Sequence, residues 1–178
     1  MGHLRFLNTT DITLECAREV RRFGIEPKAA LLSFSNFGSV EHPFAGKVRE
    51  AVAIVKERDP LLIVDGEMQA DTAVTPQILS ETYPFSKLKE KANLLIFPDL
   101  QSGNIAYKLI QRLGGAEIIG PLLVGMDKPV QVLQVGSYTV RDIMHLAAVT
   151  VVTAQGRMQT EMFRHSAADD VLPAAIGK

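Results

Sequence analysis

The sequence lacks several features that mark specialised classes of protein. It contains one cysteine, Cys16, and no tryptophan, so an internal disulfide and a disulfide-stabilised secreted domain are excluded. No apolar run approaches the roughly 18 residues that a membrane-spanning helix needs, and no signal-peptide pattern is visible. The net charge of −1 provides no overall attraction to nucleic acid or to anionic lipid. We therefore expect a cytoplasmic protein with neither nucleic-acid nor membrane partners.

The composition is that of a folded globular chain. Of its 178 residues, 47% are hydrophobic and 22% are charged, which is enough apolar material to bury a core and too little charge for a disordered chain. Because the net charge is close to zero, an anionic ligand has to be held by a local cluster of basic side chains.

Helical and strand-like hydrophobic patterns alternate along the first two thirds of the chain. Apolar residues at helical spacing predict helices over residues 10–23, 44–58, 71–80 and 104–113. Short apolar runs between them predict strands over 29–34, 61–64 and 94–97. This order predicts an α/β fold in which a parallel sheet has helices on both faces, a three-layer αβα lobe.

The pattern changes after Glu117. Two short strands are predicted over residues 118–124 and 130–133, followed by a helix from about residue 139 to residue 154. We therefore expect three parts: an α/β lobe over 1–117, a strand and helix segment over 118–155, and a tail over 156–178.

Polar residues follow two of the predicted strands. A loop with Ser35, Asn36, Gly38 and Ser39 comes after the first strand, where open α/β sheets bind phosphorylated ligands. An ordinary βα turn uses the same residue types, so that alternative stays open.

Acidic residues cluster after the second predicted strand. Asp65, Glu67 and Asp71 have the chemistry for acid–base work or for a metal. We favour the simpler interpretation, in which Asp65 accepts loop N–H groups and Asp71 caps a helix, and we predict no metal.

Four segments of the sequence form a recognisable set. They are, in order, LSFSNFGS at 32–39, DGEMQAD at 65–71, FPDLQSGNIAYK at 97–108 and GPLLVG at 120–125. Together they resemble the phosphotransacetylase family, that is, the phosphate acetyl- and butyryltransferases. The resemblance covers roughly residues 15 to 155. The first two segments look more like the carboxyl-terminal domain of bacterial NADP-dependent malic enzymes than like the free-standing transferases.

The resemblance implies an architecture. It would make this chain the carboxyl-terminal half of a two-lobed module, with an isocitrate or isopropylmalate dehydrogenase-like lobe followed by a segment that returns to a missing first lobe. A malic-enzyme catalytic unit, with NADP and a divalent metal, would lie upstream. An apolar strand edge left open by the missing lobe favours a homodimer or larger assembly.

The resemblance also implies a ligand. Lys108 and Arg112 are four residues apart on one helix and match basic positions that contact the phosphates of coenzyme A in the family, with Asn104 nearby. The expected ligand is acetyl-CoA or CoA, and no cofactor is expected in this chain. A solvated basic stripe is the alternative.

One segment departs from the active enzymes. The family has a Ser-Arg-Gly step that stabilises the acyl phosphate, and an aspartate that accepts the thiol proton. Gln134 and Val135 replace the serine and arginine, and Asp142 fills the aspartate position if one residue is inserted. Valine provides neither a hydrogen-bond donor nor a charge, so no catalytic residues are expected.

Three functions therefore remain. We expect a catalytically degenerate, regulatory acetyl-CoA-binding and oligomerising domain of a malic enzyme. The first alternative is an active phosphate acetyl- or butyryltransferase, and the second is an α/β dimerisation domain without a ligand.

Overall fold

The computed structural model describes residues 9–126, 128–133 and 139–169, with side chains as far as residue 156. The chain divides into two units, with the boundary between Ile118 and Ile119. Within the described residues, no helix is both long and apolar enough to cross a bilayer.

A three-stranded parallel sheet forms the centre of the first unit. The elements run in the order α1 (Thr9–Arg22), β1 (Lys28–Leu32), α2 (Pro43–Arg58), β2 (Ile63–Met68), α3 (Ala70–Val74), α4 (Pro76–Thr82), β3 (Leu94–Ile96) and α5 (Leu100–Leu113). The strand order is β2-β1-β3, and both pairings are parallel. The predicted α/β fold with a parallel sheet is therefore confirmed.

The two faces of the sheet carry separate cores. Ala29 and Leu31 of β1 pack in a cluster with Leu14 of α1 and with Val48 and Val55 of α2. The intervening residues of β1 point to the opposite face because side chains alternate along a strand. There, Ala30 and Leu32 cluster with residues of β2, α3, α4 and the loop that follows: Met68, Ala73, Leu79, Leu88 and Ala92. The sheet thus lies between two apolar layers, as the sequence pattern predicts.

The helix predicted over residues 71–80 is in fact two helices. Proline lacks an N–H and disfavours helical conformation in the preceding residue, and Thr75 is extended at φ −114° and ψ 99°. The chain therefore ends α3 at Val74 and begins α4 at Pro76.

Strand β2 and helix α5 have different bounds from those predicted. β2 covers Ile63–Met68, so Asp65 and Glu67 lie in the strand and not in the loop after it. Gly66 is required there because a Cβ atom would lie 2.6 Å from the Leu31 carbonyl oxygen of β1. Helix α5 begins at Leu100, since the Asp99 carboxylate caps it by accepting the Ser102 N–H at 2.7 Å.

The described residues of the second unit form one long helix and little sheet. The strands predicted over 118–124 and 130–133 are wrong: the described residues there form a single antiparallel bridge between Leu122 and Gln131. Leu123, Val132 and Leu133 are exposed, and short apolar runs without hydrogen-bonding neighbours do not form strands.

Helix α6 (Val140–Asp169) begins where the sequence predicts a helix and extends well beyond residue 154. Thr139 and Asp142 form a reciprocal cap at its start, with the Asp142 N–H 3.3 Å from Thr139 Oγ1. Residues 170–178 of the predicted tail lie outside the described residues, and the proposed roles of the three sequence segments stay predictions.

Candidate functional site

The strand order creates a crevice between the carboxyl ends of β1 and β3. From β1 the chain passes through α2 to β2, and from β2 it returns through α3 and α4 to β3 on the other side of β1. The connection that follows β1 and the connection that follows β2 therefore run in opposite directions across the sheet. Open α/β sheets bind ligands at this kind of switch point.

A cavity of about 500 Å³ occupies this crevice. This volume lies within the usual range for small-molecule sites. Most of its wall is apolar and comes from the ends of β1 and β3, the first turns of α2 and the start of α3: Leu32, Phe34, Phe44, Val48, Ala70, Phe97 and Pro98. Phe44 is 70% exposed and Phe34 is 48% exposed, so two aromatic rings at the mouth have apolar surface available to a ligand.

Lys47 and Asp99 are the charged residues of the cavity wall. Asp99 is engaged in capping α5, and the Ser102 N–H, followed at longer range by the charge of Lys47, lowers the pKa of its carboxyl group. In the described part of the chain, Lys47 forms neither a hydrogen bond nor an ion pair. Its three ammonium donors are therefore available to a ligand.

A buried carboxylate organises the loop beside the cavity. Glu67 is 0% exposed and accepts hydrogen bonds from Ser35 Oγ at 2.8 Å and from the Gly38 N–H at 2.7 Å. The half-exposed Arg49 donates from Nε to Oε2 at 3.0 Å and from a terminal nitrogen to Oε1 at 3.1 Å. Burial alone raises the pKa of Glu67, but the Arg49, Gly38 and Ser35 donors outweigh it and the net pKa is lowered.

The predicted ligand loop is held together by its own hydrogen bonds. Ser35 is buried, and its hydroxyl also accepts the Val40 N–H at 3.2 Å. Asn36 exchanges two hydrogen bonds with Gln69, of 3.1 and 2.8 Å, and its N–H donates to Ser39 Oγ at 3.0 Å. Many of the polar groups that the sequence assigns to a ligand therefore have protein partners. Direct binding by Ser35, Asn36, Gly38 and Ser39 stays a prediction.

The other acidic residues have structural partners. Asp65 accepts hydrogen bonds from Lys56 Nζ at 2.9 Å, Ser86 Oγ at 2.9 Å and the Lys87 N–H at 2.7 Å. The simpler interpretation of Asp65 is thereby confirmed. The prediction that Asp71 caps the helix is wrong: α3 begins at Ala70 with Gln69 as its N-cap, and the Asp71 carboxylate accepts the Thr72 N–H at 2.9 Å within the first turn. No set of three potential metal ligands comes together in the described ranges.

The predicted phosphate-binding residues lie on helix α5. Asn104, Lys108 and Arg112 are all exposed, and Lys108 Nζ lies 4.6 Å from the centre of the Tyr107 ring. The sequence predicts that this helix begins at Asn104. It begins at Leu100, so Asn104 lies in its second turn. Phosphate binding by these residues stays a prediction.

Asp142, which the resemblance predicts at the family's base position, caps α6. Its Oδ2 accepts the Thr139 N–H at 2.8 Å and the Thr139 hydroxyl at 2.7 Å. These two bonds, the N–H first, lower the pKa of the Asp142 carboxyl group. A carboxylate that is engaged in this way is a weaker acceptor for a thiol proton. Gln134 and Val135 lie outside the described residues.

Sequence reasoning missed Phe44 and Lys47 as site residues. Both lie in the first two turns of α2, directly after the loop that it did single out. Their spacing of three residues places them on one side of a helix. This spacing is the sequence signal from which they could have been identified as site residues.

Comparison with known proteins gives matches of two kinds. The family model described as phosphate acetyl/butaryl transferase matches residues 7–151. The chain is 48% identical over 145 residues to an NADP-dependent malic enzyme of Haemophilus influenzae, covering 82% of this chain and 19% of that one. It is 42% identical over 144 residues to a phosphate acetyltransferase of Bacillus subtilis, covering 81% of this chain and 44% of that one.

The structural match agrees. A phosphotransacetylase from Streptococcus pyogenes superposes with a TM-score of 0.78 at 44% identity, covering 83% of this chain and 45% of that one. The chain thus spans about a fifth of the malic enzyme and less than half of the two transferases. Both kinds of relative that the motifs predict are found.

Proposed function

This chain belongs to the phosphate acetyl/butaryl transferase family, and from that premise we propose that it binds acetyl-CoA or CoA without transferring the acyl group. The supporting observation is the state of Asp142. The residue at the base position accepts two hydrogen bonds from Thr139 and caps a helix. Together with Gln134 and Val135 in place of the serine and arginine, this leaves the family's proton acceptor and anion donors degenerate.

We propose that the ligand lies in the cavity between β1 and β3. The apolar wall suits an acyl or pantetheine portion, and Lys47 offers a cation at the same place. Lys108 and Arg112 on α5 are proposed to hold phosphate groups further along the ligand.

The proposed role is regulation of a malic enzyme. Identity of 48% to the Haemophilus influenzae malic enzyme supports a parent chain of that type. NADP and the divalent metal of oxidative decarboxylation would belong to its catalytic unit, and acyl-CoA bound here would modulate it. The isocitrate or isopropylmalate dehydrogenase-like lobe type and a cytoplasmic location are part of the same proposal.

We also propose self-association. None of the residues of α5 is buried, and Leu100 and Leu113 are 87% and 81% exposed. A helix with this much exposed apolar surface favours a partner. Sedimentation at about 50 μM, where modest interfaces assemble, should show a dimer or larger species, and a clean monomer would contradict self-association.

The second candidate is an active acyltransferase, which the 42% identity to the Bacillus subtilis phosphate acetyltransferase favours. Two measurements separate it from the first. Calorimetric titration should show acetyl-CoA binding, and a thiol-release assay with acetyl phosphate and CoA should show no turnover above background. Turnover that Asp142→Asn abolishes would establish the transferase, and absence of any CoA binding would refute both.

A further inference from the structure

The amine of Lys47 lies at the wall of the cavity between β1 and β3. Lys47 is three residues after Phe44 on α2, and both side chains line the cavity together with Val48. Side chains at this spacing share one face of a helix, and their Cα–Cβ bonds tilt toward the N-terminus of the helix. The stem of Lys47 therefore leans toward the Phe44 end of α2, where the exposed ring of Phe44 marks the cavity mouth.

Other lysines of the first unit provide a comparison. Three of them donate from Nζ to protein acceptors: Lys28, Lys56 and Lys89. The amines of Lys47 and Lys91 form neither a hydrogen bond nor an ion pair with any described residue. Both residues are exposed, but only Lys47 lines the cavity. Lys47 thus combines an unengaged amine with a position beside the proposed ligand.

We propose that Lys47 is acylated by the acyl-CoA thioester bound in this cavity. The inference rests on the proposed binding of acetyl-CoA and adds a covalent modification of the protein itself. After the ammonium releases a proton to solvent, the neutral amine attacks the thioester carbonyl carbon and an amide bond forms at Nζ. The carbon–sulfur bond breaks, and CoA leaves as the thiol with the second proton that the nitrogen gives up. No oxidant or further reactant is consumed.

Proximity is the physical basis of this step. Binding turns the attack into a reaction within one complex, which raises the effective concentration of the thioester at Nζ. Asp99 does not tie the ammonium down in an ion pair, because its carboxylate caps α5 through the Ser102 N–H. The step uses neither Asp142 nor phosphate, so each chain releases one thiol and then stops. Since the product is a neutral amide, the cavity wall loses this cation.

The test incubates the whole chain with acetyl-CoA and follows the acetylation of each lysine by peptide mass spectrometry. Lys47 should react at least about tenfold faster than Lys91, because proximity acts on Lys47 alone. The rate at Lys47 should saturate as acetyl-CoA passes the dissociation constant that calorimetry gives, and excess CoA should slow it. The rate at Lys91 should rise linearly with acetyl-CoA and should not respond to CoA.

Two matched variants check the assignment by intact-protein mass measurement. Lys47→Arg keeps the positive charge and removes the nucleophile, so the rapid addition of one acetyl group should disappear. Lys91→Arg makes the same exchange outside the cavity wall and should retain that addition.

Two results would overturn the inference while leaving acyl-CoA binding intact. One is calorimetric binding of acetyl-CoA with equal rates of acetylation at Lys47 and Lys91. The other is a fast rate at Lys47 that rises linearly with acetyl-CoA and ignores CoA, since this would mark a generally reactive amine. If calorimetry detects neither CoA nor acetyl-CoA, the proposed function fails together with the inference.

Discussion

The loop around Glu67 and the cavity beside Lys47 lie at the same edge of one sheet, yet they differ in whether their charges have partners. Glu67 is fully buried and accepts four hydrogen bonds from Ser35, Gly38 and Arg49. Lys47, a few residues before Arg49 on the same helix, forms neither a hydrogen bond nor an ion pair in the described ranges. A carboxylate whose bonds are complete stabilises the fold, and a cation with unused donors is available to a ligand.

This difference indicates which of the two regions is the better candidate for a ligand site. Loops rich in serine, asparagine and glycine look like anion sites in a sequence, but here that loop uses its donors on Glu67 and Gln69. The cavity next to it has a mostly apolar wall, and no side chain in the described part of the chain fills it. Substitutions at Glu67 and at Lys47 test this division between a structural and a ligand-facing region, and substitutions on α5 test the proposed phosphate site.

The largest effect is expected at the structural side of the comparison. Glu67→Gln removes a buried charge, and it places an amide NH₂ opposite the Arg49 Nε–H donor that now bonds to Oε2. It should therefore lower the free energy of unfolding by about 3 kcal/mol. Thermal unfolding should show a loss of several degrees. Glu90→Gln, at an exposed carboxylate paired with Lys28, is the control and should change little. Equal stability of Glu67→Gln and the parent chain would show that the Glu67 carboxylate does not stabilise the fold.

The pH dependence of stability sharpens the same prediction. Because the folded-state pKa of Glu67 is lowered, the carboxylate stabilises the fold at pH values above its unfolded pKa. That contribution is lost as the pH falls through the lower folded pKa. Denaturant midpoints measured between pH 7 and pH 3 should fall more steeply for the parent chain than for Glu67→Gln. Parallel curves would show that Glu67 carries no such linkage.

The next effect concerns the phosphate-binding residues proposed on α5. Lys108→Ala combined with Arg112→Ala should weaken acetyl-CoA binding by about 2 to 3 kcal/mol, since charge-assisted bonds are strong but not additive. Affinity of the parent chain should also fall as salt rises. Lys87→Ala with Lys91→Ala removes the same charge from exposed residues before β3 and should have little effect. Equal losses of acetyl-CoA affinity in both double variants would show that Lys108 and Arg112 are solvated charges without a specific role in phosphate binding.

The smallest effect is expected for Lys47 itself. Lys47→Met keeps the apolar stem and removes the ammonium, so acetyl-CoA affinity should drop by about 1.5 kcal/mol, or roughly tenfold, as expected for one charged hydrogen bond. The unfolding midpoint should stay the same because no ion pair is lost. Lys91→Met is the matched control. Unchanged acetyl-CoA affinity in Lys47→Met would show that the Lys47 ammonium does not contact the ligand.

Sequence patterns predicted most of the first unit because local rules and tertiary packing agree there. The predicted strands over 29–34 and 94–97 overlap β1 and β3, and the predicted helices overlap α1, α2 and α5, although α5 begins four residues earlier than predicted. Asp65 also behaves as the sequence predicts, as an acceptor of a loop N–H. The break between α3 and α4 could have been predicted from Pro76. The hydrophobic pattern of residues 71–80 indicated one continuous helix instead.

The second unit was harder to predict, since the described residues of its two apolar runs pair at one bridge and join no larger sheet. A strand is defined by hydrogen bonds to a neighbour, and Leu122 and Gln131 form the one bridge found in the described part of that segment. Periodicity alone does not distinguish a paired apolar run from an unpaired one.

By itself the sequence determined the parallel α/β order and the family, because these depend on residue type and spacing along the chain. Only the tertiary structure decided which polar groups are already used. Glu67 lies about thirty residues from Ser35 and Gly38, and it reaches them because β1 and β2 are neighbours in the sheet. The cavity is likewise formed by β1, β3 and α2, which meet only after the chain has crossed from one side of β1 to the other. Hydrogen-bond satisfaction and empty volume depend on contacts between distant segments, so they cannot be obtained from local pattern.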